Sequence, residues 1–190
     1  MTQFRGQKMV NGKDQRPLVS LVMNFTKPTD TKPSLLTFNE VTTFLHEFGH
    51  ALHGMFSKCT YGSTSMDGVS RDFVELPSQF MENFALEKEW LDTWAVHYQT
   101  GDKIPQEYID KIKKSSNFQA GYASDRQLSF GMVDMAWHTI TEPVTEPLVN
   151  FEQRAMGKTE IMPLVKGSAF SPAFGHIFAG GYAAGYLSLI

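Results

Sequence analysis

His46-Glu47-Phe48-Gly49-His50 constrains the backbone of this chain more than any other stretch. Side chains four residues apart share a face only on a helix, so two histidines meant to act together require helical backbone here. The flanking residues agree. Thr37-Phe38-Asn39-Glu40 has the form of a capping box, with Thr37 accepting from the first free amides and Glu40 reaching back to the cap residue. Val41, Phe44, Leu45, Phe48, Leu52, Met55 and Phe56 then recur at helical spacing as an apolar stripe. A helix is expected over about residues 38–57, with His46, His50 and His53 on a separate, polar stripe.

On such a helix the pattern proposes a chemistry. Two imidazoles on one face can bind a single zinc ion, and the carboxylate of Glu47 can reach a water held there, which is the arrangement for metal-assisted hydrolysis of a peptide bond. A zinc site of this kind needs a third protein ligand. The only cysteine is Cys59, and one cysteine makes no cysteine site. The best candidate is Glu75, 25 residues beyond His50, which leaves room for a loop and a returning helix. Ser70 or Asp72 could cap that helix. Pro77 is tolerated only in a first turn, so regular helix begins near Leu76 or kinks there. Glu82 falls on the same face as Glu75 and reads equally as a carboxylate supporting a ligating histidine or as a solvated surface acid.

These residues carry a family resemblance. Phe44-Leu45-His46-Glu47-Phe48-Gly49-His50-Ala51-Leu52-His53-Gly54 and Asp72-Phe73-Val74-Glu75-Leu76-Pro77-Ser78-Gln79 resemble the thimet oligopeptidase family of zinc metallopeptidases. Phe174-Gly175-His176-Ile177-Phe178-Ala179-Gly180-Gly181-Tyr182-Ala183-Ala184-Gly185-Tyr186 resembles the C-terminal active-site segment of its bacterial branch, the peptidyl-dipeptidases and oligopeptidase A, and His97-Tyr98-Gln99-Thr100-Gly101 resembles the peptidyl-dipeptidase side. The resemblance implies a mainly α, zincin-like helical catalytic region. It implies one zinc ion with ligands His46, His50 and Glu75, and Glu47 as general base. It also implies that His176, Tyr182 and Tyr186 approach the substrate carbonyl. The expected activity is hydrolysis of short peptides, with release of C-terminal dipeptides.

Two departures from the family pattern define a second expectation. Family members are several times longer than 190 residues, and here Leu187 and Leu189 stand where further tyrosines are expected; leucine donates no hydrogen bond. The chain is therefore read as a single partial catalytic domain over 1–190, a fragment of a longer peptidase. The alternative function is that of a zinc-binding fragment needing other segments for activity.

Composition enters at three points. A net charge of -3 without a basic stripe excludes a nucleic-acid partner. One cysteine and a polar N-terminus without an apolar leader point to the cytoplasm. The 15 Phe, 10 Met and 6 Tyr in a partial domain predict an exposed apolar patch and self-association. Residues 173–190 lack Asp, Glu, Lys and Arg and contain Gly181-x-x-x-Gly185, a membrane-tail pattern. Gly175, Gly180 and His176 weaken that pattern, and no membrane partner is expected.

The remaining organisation is mostly helical after a short N-terminal strand or hairpin. Residues 17–25 read as a strand and 27–33 as a loop, and the Gly- and Ser-rich 61–68 as a flap or an ordinary connection. Further helices are expected over 87–97, from Pro105 to about 114, from about 117 to 141, and over 151–156, followed by a loop through Pro163 and Gly167. His97 and His138 are expected to be packed or at the surface. His53 is a candidate for contact near the site. Arg126 has either an acidic partner or a substrate carboxylate as its counterpart.

Overall fold

The structure, a computed structural model, describes residues 1–162 and 165–189, the last by its backbone alone. The expected loop through Pro163 therefore lies partly outside the described residues, and the side chain of Leu189 lies wholly outside them. The chain is mainly α-helical with short strands near its N-terminus, as expected, and it forms two compact units, Met1–Lys113 and Lys114–Ile190.

The first unit opens with two small antiparallel pairs. Strand β1 (Thr2–Arg5) pairs with β4 (Leu18–Ser20), with Gln3 opposite Val19 and an irregularity between Gln3 and Arg5. Strands β2 (Lys8–Val10) and β3 (Lys13–Gln15) form a hairpin. Its two turn residues, Asn11 and Gly12, both have positive φ (51° and 74°), which Asn-Gly supplies at little steric cost. The strand expected over 17–25 is confined to Leu18–Ser20, because only these residues find a partner in β1.

Helix α1 (Phe38–Phe56) starts at the capping box the sequence announces. The Glu40 amide donates to Thr37 Oγ1 at 3.3 Å and the Thr37 amide donates to Glu40 Oε2 at 2.7 Å. Glu40 Oε1 also accepts from the amide and hydroxyl of Thr26, at 2.5 and 2.8 Å. These donors, the Thr37 and Thr26 amides above all, lower the Glu40 pKa to about 2. The buried face of α1 differs from the expected stripe. Phe44 and Phe56 are exposed, whereas Leu45, Gly49, Ala51 and Gly54 are buried. At Gly49 other backbone passes close, and at Gly54 the side chains of Gln3, Met66 and Val19 do.

The backbone at Gly49 belongs to α3 (Leu76–Glu82), which follows the single turn α2 (Arg71–Val74) with Glu75 at the junction. Pro77 falls in the first turn of α3, where it forfeits no helical hydrogen bond. The expected flap, 61–68, is two 3-10 turns, Gly62–Thr64 and Met66–Gly68. The helix expected over 87–97 shrinks to α4 (Lys88–Leu91), because the chain then turns into an isolated bridge between Val96 and Lys103. The His97 amide donates to the Asp102 carbonyl at 2.7 Å and the Gly101 amide to the His97 carbonyl at 2.8 Å, which closes that turn. Helix α5 (Gln106–Ser115) buries Ile109.

The second unit is built on α6 (Ala120–His138) and α7 (Leu148–Met156). Val133, Phe151, Met156, Ile177 and Tyr186 form its buried apolar part. The Trp137 ring lies 4.1 Å from that of Phe151, and its indole N–H donates to Ser171 Oγ at 2.8 Å. Glu152 is also buried, and its carboxylate accepts the amides of Phe170 and Ser171 at 2.9 and 2.6 Å. The C-terminal segment winds through 3-10 turns, and among the described residues no helix is long and apolar enough to cross a membrane.

Candidate metal centre

His46 and His50 project from successive turns of α1, their rings 5.0 Å apart and nearly perpendicular. Glu75, at the junction ahead of α3, brings its Oε2 to 3.2 Å from His46 Nε2 and 3.1 Å from His50 Nε2. What allows this approach is Gly49. A β-carbon there would stand 2.6 Å from the Pro77 carbonyl oxygen and 2.6 Å from Ser78 Cα. Ser78, fully buried, then aims the carboxylate, its hydroxyl donating to Glu75 Oε2 at 2.9 Å and to the Glu75 carbonyl at 2.8 Å. Neither role was foreseen from the sequence. The only signal for Ser78 is its spacing of three from Glu75.

Glu82 Oε1 lies 2.6 Å from His46 Nδ1, a contact that selects the Nδ1–H tautomer of the neutral ring and turns Nε2 toward Glu75. Burial lowers the His50 pKa below its ordinary value by more than the Glu75 carboxylate raises it, which favours the neutral ring. Nε2 of each ring and a carboxylate oxygen of Glu75 thus converge. Edges of a zinc tetrahedron built with ordinary bond lengths are about 3.3 Å. The separations of 3.1 and 3.2 Å fit that figure, and all three ligand atoms lie within 4.8 Å of one another. His46, His50 and Glu75 form a group that could hold one metal ion.

Glu47 stands on the same helix, partly exposed, and its Oε2 accepts from the Met1 amino group at 2.5 Å. His53 does not join the cluster. It lines an apolar hollow of about 390 Å³ with Leu52, Phe56, Phe80 and Met81, and its Nδ1 is buried without a hydrogen-bond partner. His97 is tied into its own turn, its Nδ1 accepting from the Thr100 amide at 3.2 Å.

His176, Tyr182 and Tyr186 belong to the second unit. His176 is exposed on a 3-10 turn, its ring 5.7 Å from that of Phe174. Tyr182 is half-buried. Tyr186 is buried, and its hydroxyl donates to Gln127 Oε1 at 2.7 Å. Burial pushes its phenol above the usual pKa, against a smaller pull from Arg126. Arg126 itself lies over the Phe130 ring, 4.9 Å from its centroid. His138 Nδ1 lies 2.8 Å from Asp134 Oδ1.

Comparison with known proteins follows this geometry. The chain is 41% identical over 189 residues to oligopeptidase A of Escherichia coli, an alignment covering 96% of this chain and 27% of that protein. It is 38% identical over 192 residues to dipeptidyl carboxypeptidase of Salmonella typhimurium, covering 100% of this chain and 28% of that one. Organellar oligopeptidase A of Arabidopsis thaliana is 44% identical over 174 residues, 90% of this chain and 22% of its own length. The chain thus spans about a quarter of the length of the curated relatives it matches. The sequence profile of peptidase family M3 matches residues 1–189, and the chain belongs to that family.

Proposed function

We propose that this chain is the zinc-bearing part of a metallopeptidase that hydrolyses short peptides and releases C-terminal dipeptides. The observation that carries the reading is the convergence of His46, His50 and Glu75, with the Glu47 carboxylate next to His46 in the chain, in a member of family M3. The names of two relatives, oligopeptidase A and dipeptidyl carboxypeptidase, support a peptide substrate and the dipeptide register.

Each residue has a task. His46, His50 and Glu75 hold the ion, Glu82 keeps the proton of His46 on Nδ1, and Ser78 fixes the Glu75 carboxylate. A zinc ion bound there supplies Lewis acidity to water and to the scissile carbonyl. Glu47 takes a proton from the attacking water and passes it to the leaving amine. Donors from the C-terminal segment, His176, Tyr182 and Tyr186, stabilise the developing oxyanion. One such donor is typically worth about 100- to 1000-fold in turnover. The chemistry needs no membrane or nucleic acid, and a cytoplasmic setting suits the single cysteine.

A second reading is favoured by coverage. Because the chain matches about a quarter of its relatives' length, it can act as a metal-binding part whose turnover depends on complementary segments. Metal analysis and a quenched-peptide assay separate the two. Stoichiometric zinc, lost in His46→Ala, with hydrolysis abolished by Glu47→Gln, supports the peptidase reading. Stoichiometric zinc without hydrolysis supports the second. A chain that binds no zinc refutes both.

A further inference from the structure

The hollow of about 390 Å³ that His53 lines takes its walls from α1, α3 and the connection through residues 57–66. Its size falls in the range of about 300–1,000 Å³ typical of ligand pockets. Leu52, Phe56, Met66, Phe80 and Met81 make it apolar, and Phe56 and Phe80 remain exposed. Phe80 packs edge to face on Phe84, with ring centroids 5.9 Å apart, which holds one aromatic wall in place.

Four of the five polar side chains on the wall give their hydrogen to a main-chain carbonyl. Ser57 Oγ donates to His53 at 3.0 Å, Cys59 Sγ to Thr64 at 3.2 Å, Thr64 Oγ1 to Tyr61 at 2.9 Å and Ser65 Oγ to Gly62 at 2.7 Å. His53 is the exception: its Nδ1 is buried and has no hydrogen-bond partner among the described residues. A buried ring nitrogen left in that state is costly, and one polar group on an otherwise apolar wall is the pattern that orients a ligand. Position ties the hollow to the metal centre. His53 follows His50 by three residues on α1, a rise of about 4.5 Å. An extended peptide advances about 3.4 Å per residue, so a residue next to a bond held at His46, His50 and Glu75 has the reach to enter the hollow.

We propose that this hollow is a specificity subsite for a tyrosine of the peptide substrate, with His53 Nδ1 hydrogen-bonded to the phenol hydroxyl. The inference rests on the reading of the metal centre as a peptide-binding site given above. A phenol ring suits the rings of Phe56 and Phe80 and the thioethers of Met66 and Met81. Its hydroxyl both donates and accepts, so it pairs with Nδ1 in either tautomer. A tryptophan indole only donates, and phenylalanine leaves the nitrogen unpaired.

The test uses the zinc-loaded Glu47→Gln chain, which holds peptides without turning them over. The probes are N-acetylated tetrapeptides with tyrosine at each position in turn, each paired with its phenylalanine counterpart. At one position the tyrosine peptide is expected to bind about 5- to 50-fold more tightly than its partner. His53→Phe should bring that ratio to within about twofold while zinc affinity stays within about twofold of the parent's. His53→Asn, whose amide sets a polar atom near the place of Nδ1, should keep most of the preference. The Nδ1 resonance of His53 in nitrogen-15 spectra should shift with the tyrosine peptide and not with its phenylalanine partner, which carries the test if His53→Phe fails to fold. Equal binding of the paired peptides at every position, a preference that survives His53→Phe, or an unmoved Nδ1 resonance overturns the subsite; the peptidase reading then stands if the parent chain cleaves these peptides. A His53-dependent preference in a chain that cleaves none of them supports the subsite and overturns only the turnover. A zinc-loaded chain that binds none of the peptides overturns both.

Discussion

Replacing Gly49 with alanine tests whether close helix approach builds the metal centre. The new methyl would stand 2.6 Å from the Pro77 carbonyl oxygen, 2.6 Å from Ser78 Cα and 3.0 Å from the Pro77 carbonyl carbon. All three are backbone atoms of α3, so no side chain can swing away. Restoring an ordinary contact of about 3.5 Å requires α3 to retreat from α1 by roughly 1 Å. Glu75 leads directly into α3, so its carboxylate moves with that retreat. Metal ligands tolerate displacements of only about 0.2 Å, and a partly misplaced ligand typically costs about 10- to 100-fold in affinity. Stability responds differently. Overpacking costs about 1–3 kcal/mol, while alanine gains about 1 kcal/mol over glycine within a helix. The net loss of fold stability is therefore about 0–2 kcal/mol. The expected outcome is a metal-free thermal midpoint near the parent's, together with zinc affinity weakened about 10- to 100-fold in competition against a chromophoric chelator. Affinity within twofold of the parent, at any stability, would refute the argument that Gly49 sets the position of Glu75.

Other outcomes follow from the same structure. Glu82→Ala frees the His46 ring to turn and to change tautomer, and should weaken zinc binding about 10- to 100-fold; an unchanged dissociation constant would show that Glu82 is an ordinary surface acid. Glu40 titrates near 2 in the folded chain, below the ordinary 4.5, so it stabilises α1 above about pH 4.5 and loses that contribution as pH falls toward 2. Glu40→Gln should flatten this part of the acid unfolding curve, and an identical curve would mean that the capping box does not persist in solution. Burial sets the His50 pKa below 6.5, so the metal-free chain should lose stability as pH falls below about 6.5, and His50→Gln should remove that slope in pH-dependent urea melts. Phe4, Phe56, Phe80 and Phe118 are each more than half exposed, so the chain should self-associate, with a sedimentation coefficient that rises with concentration. A concentration-independent monomer would refute this.

The centre of the site was legible in the sequence because its determinants are local. A capping box, an i,i+4 histidine pair and a proline suited to a first turn are statements about neighbours along the chain, and α1 and the start of α3 follow them. The expectations that failed depended on longer range. Residues 87–97 have helical spacing, yet the Val96–Lys103 bridge ends the helix at Leu91. The apolar stripe of α1 suggested Phe44 and Phe56 as buried residues, but they are exposed, and burial extends instead to Gly49, Ala51 and Gly54, with α3 backbone against Gly49.

By itself, then, the sequence determined which groups are present, the helix that aligns two of the three expected ligands, and the family whose chemistry they suit. Tertiary structure decided the third ligand's distance, through the gap that Gly49 leaves for Pro77 and Ser78. It also decided which ring nitrogen of His46 faces Glu82, and which acids are spent on backbone amides, as in Asp134 and Glu152. The division has a physical cause. Helix periodicity is fixed by hydrogen bonds over four residues, whereas the spacing of the site's groups depends on atoms brought within 3.1 Å from 25 to 52 residues away, and only packing sets those distances.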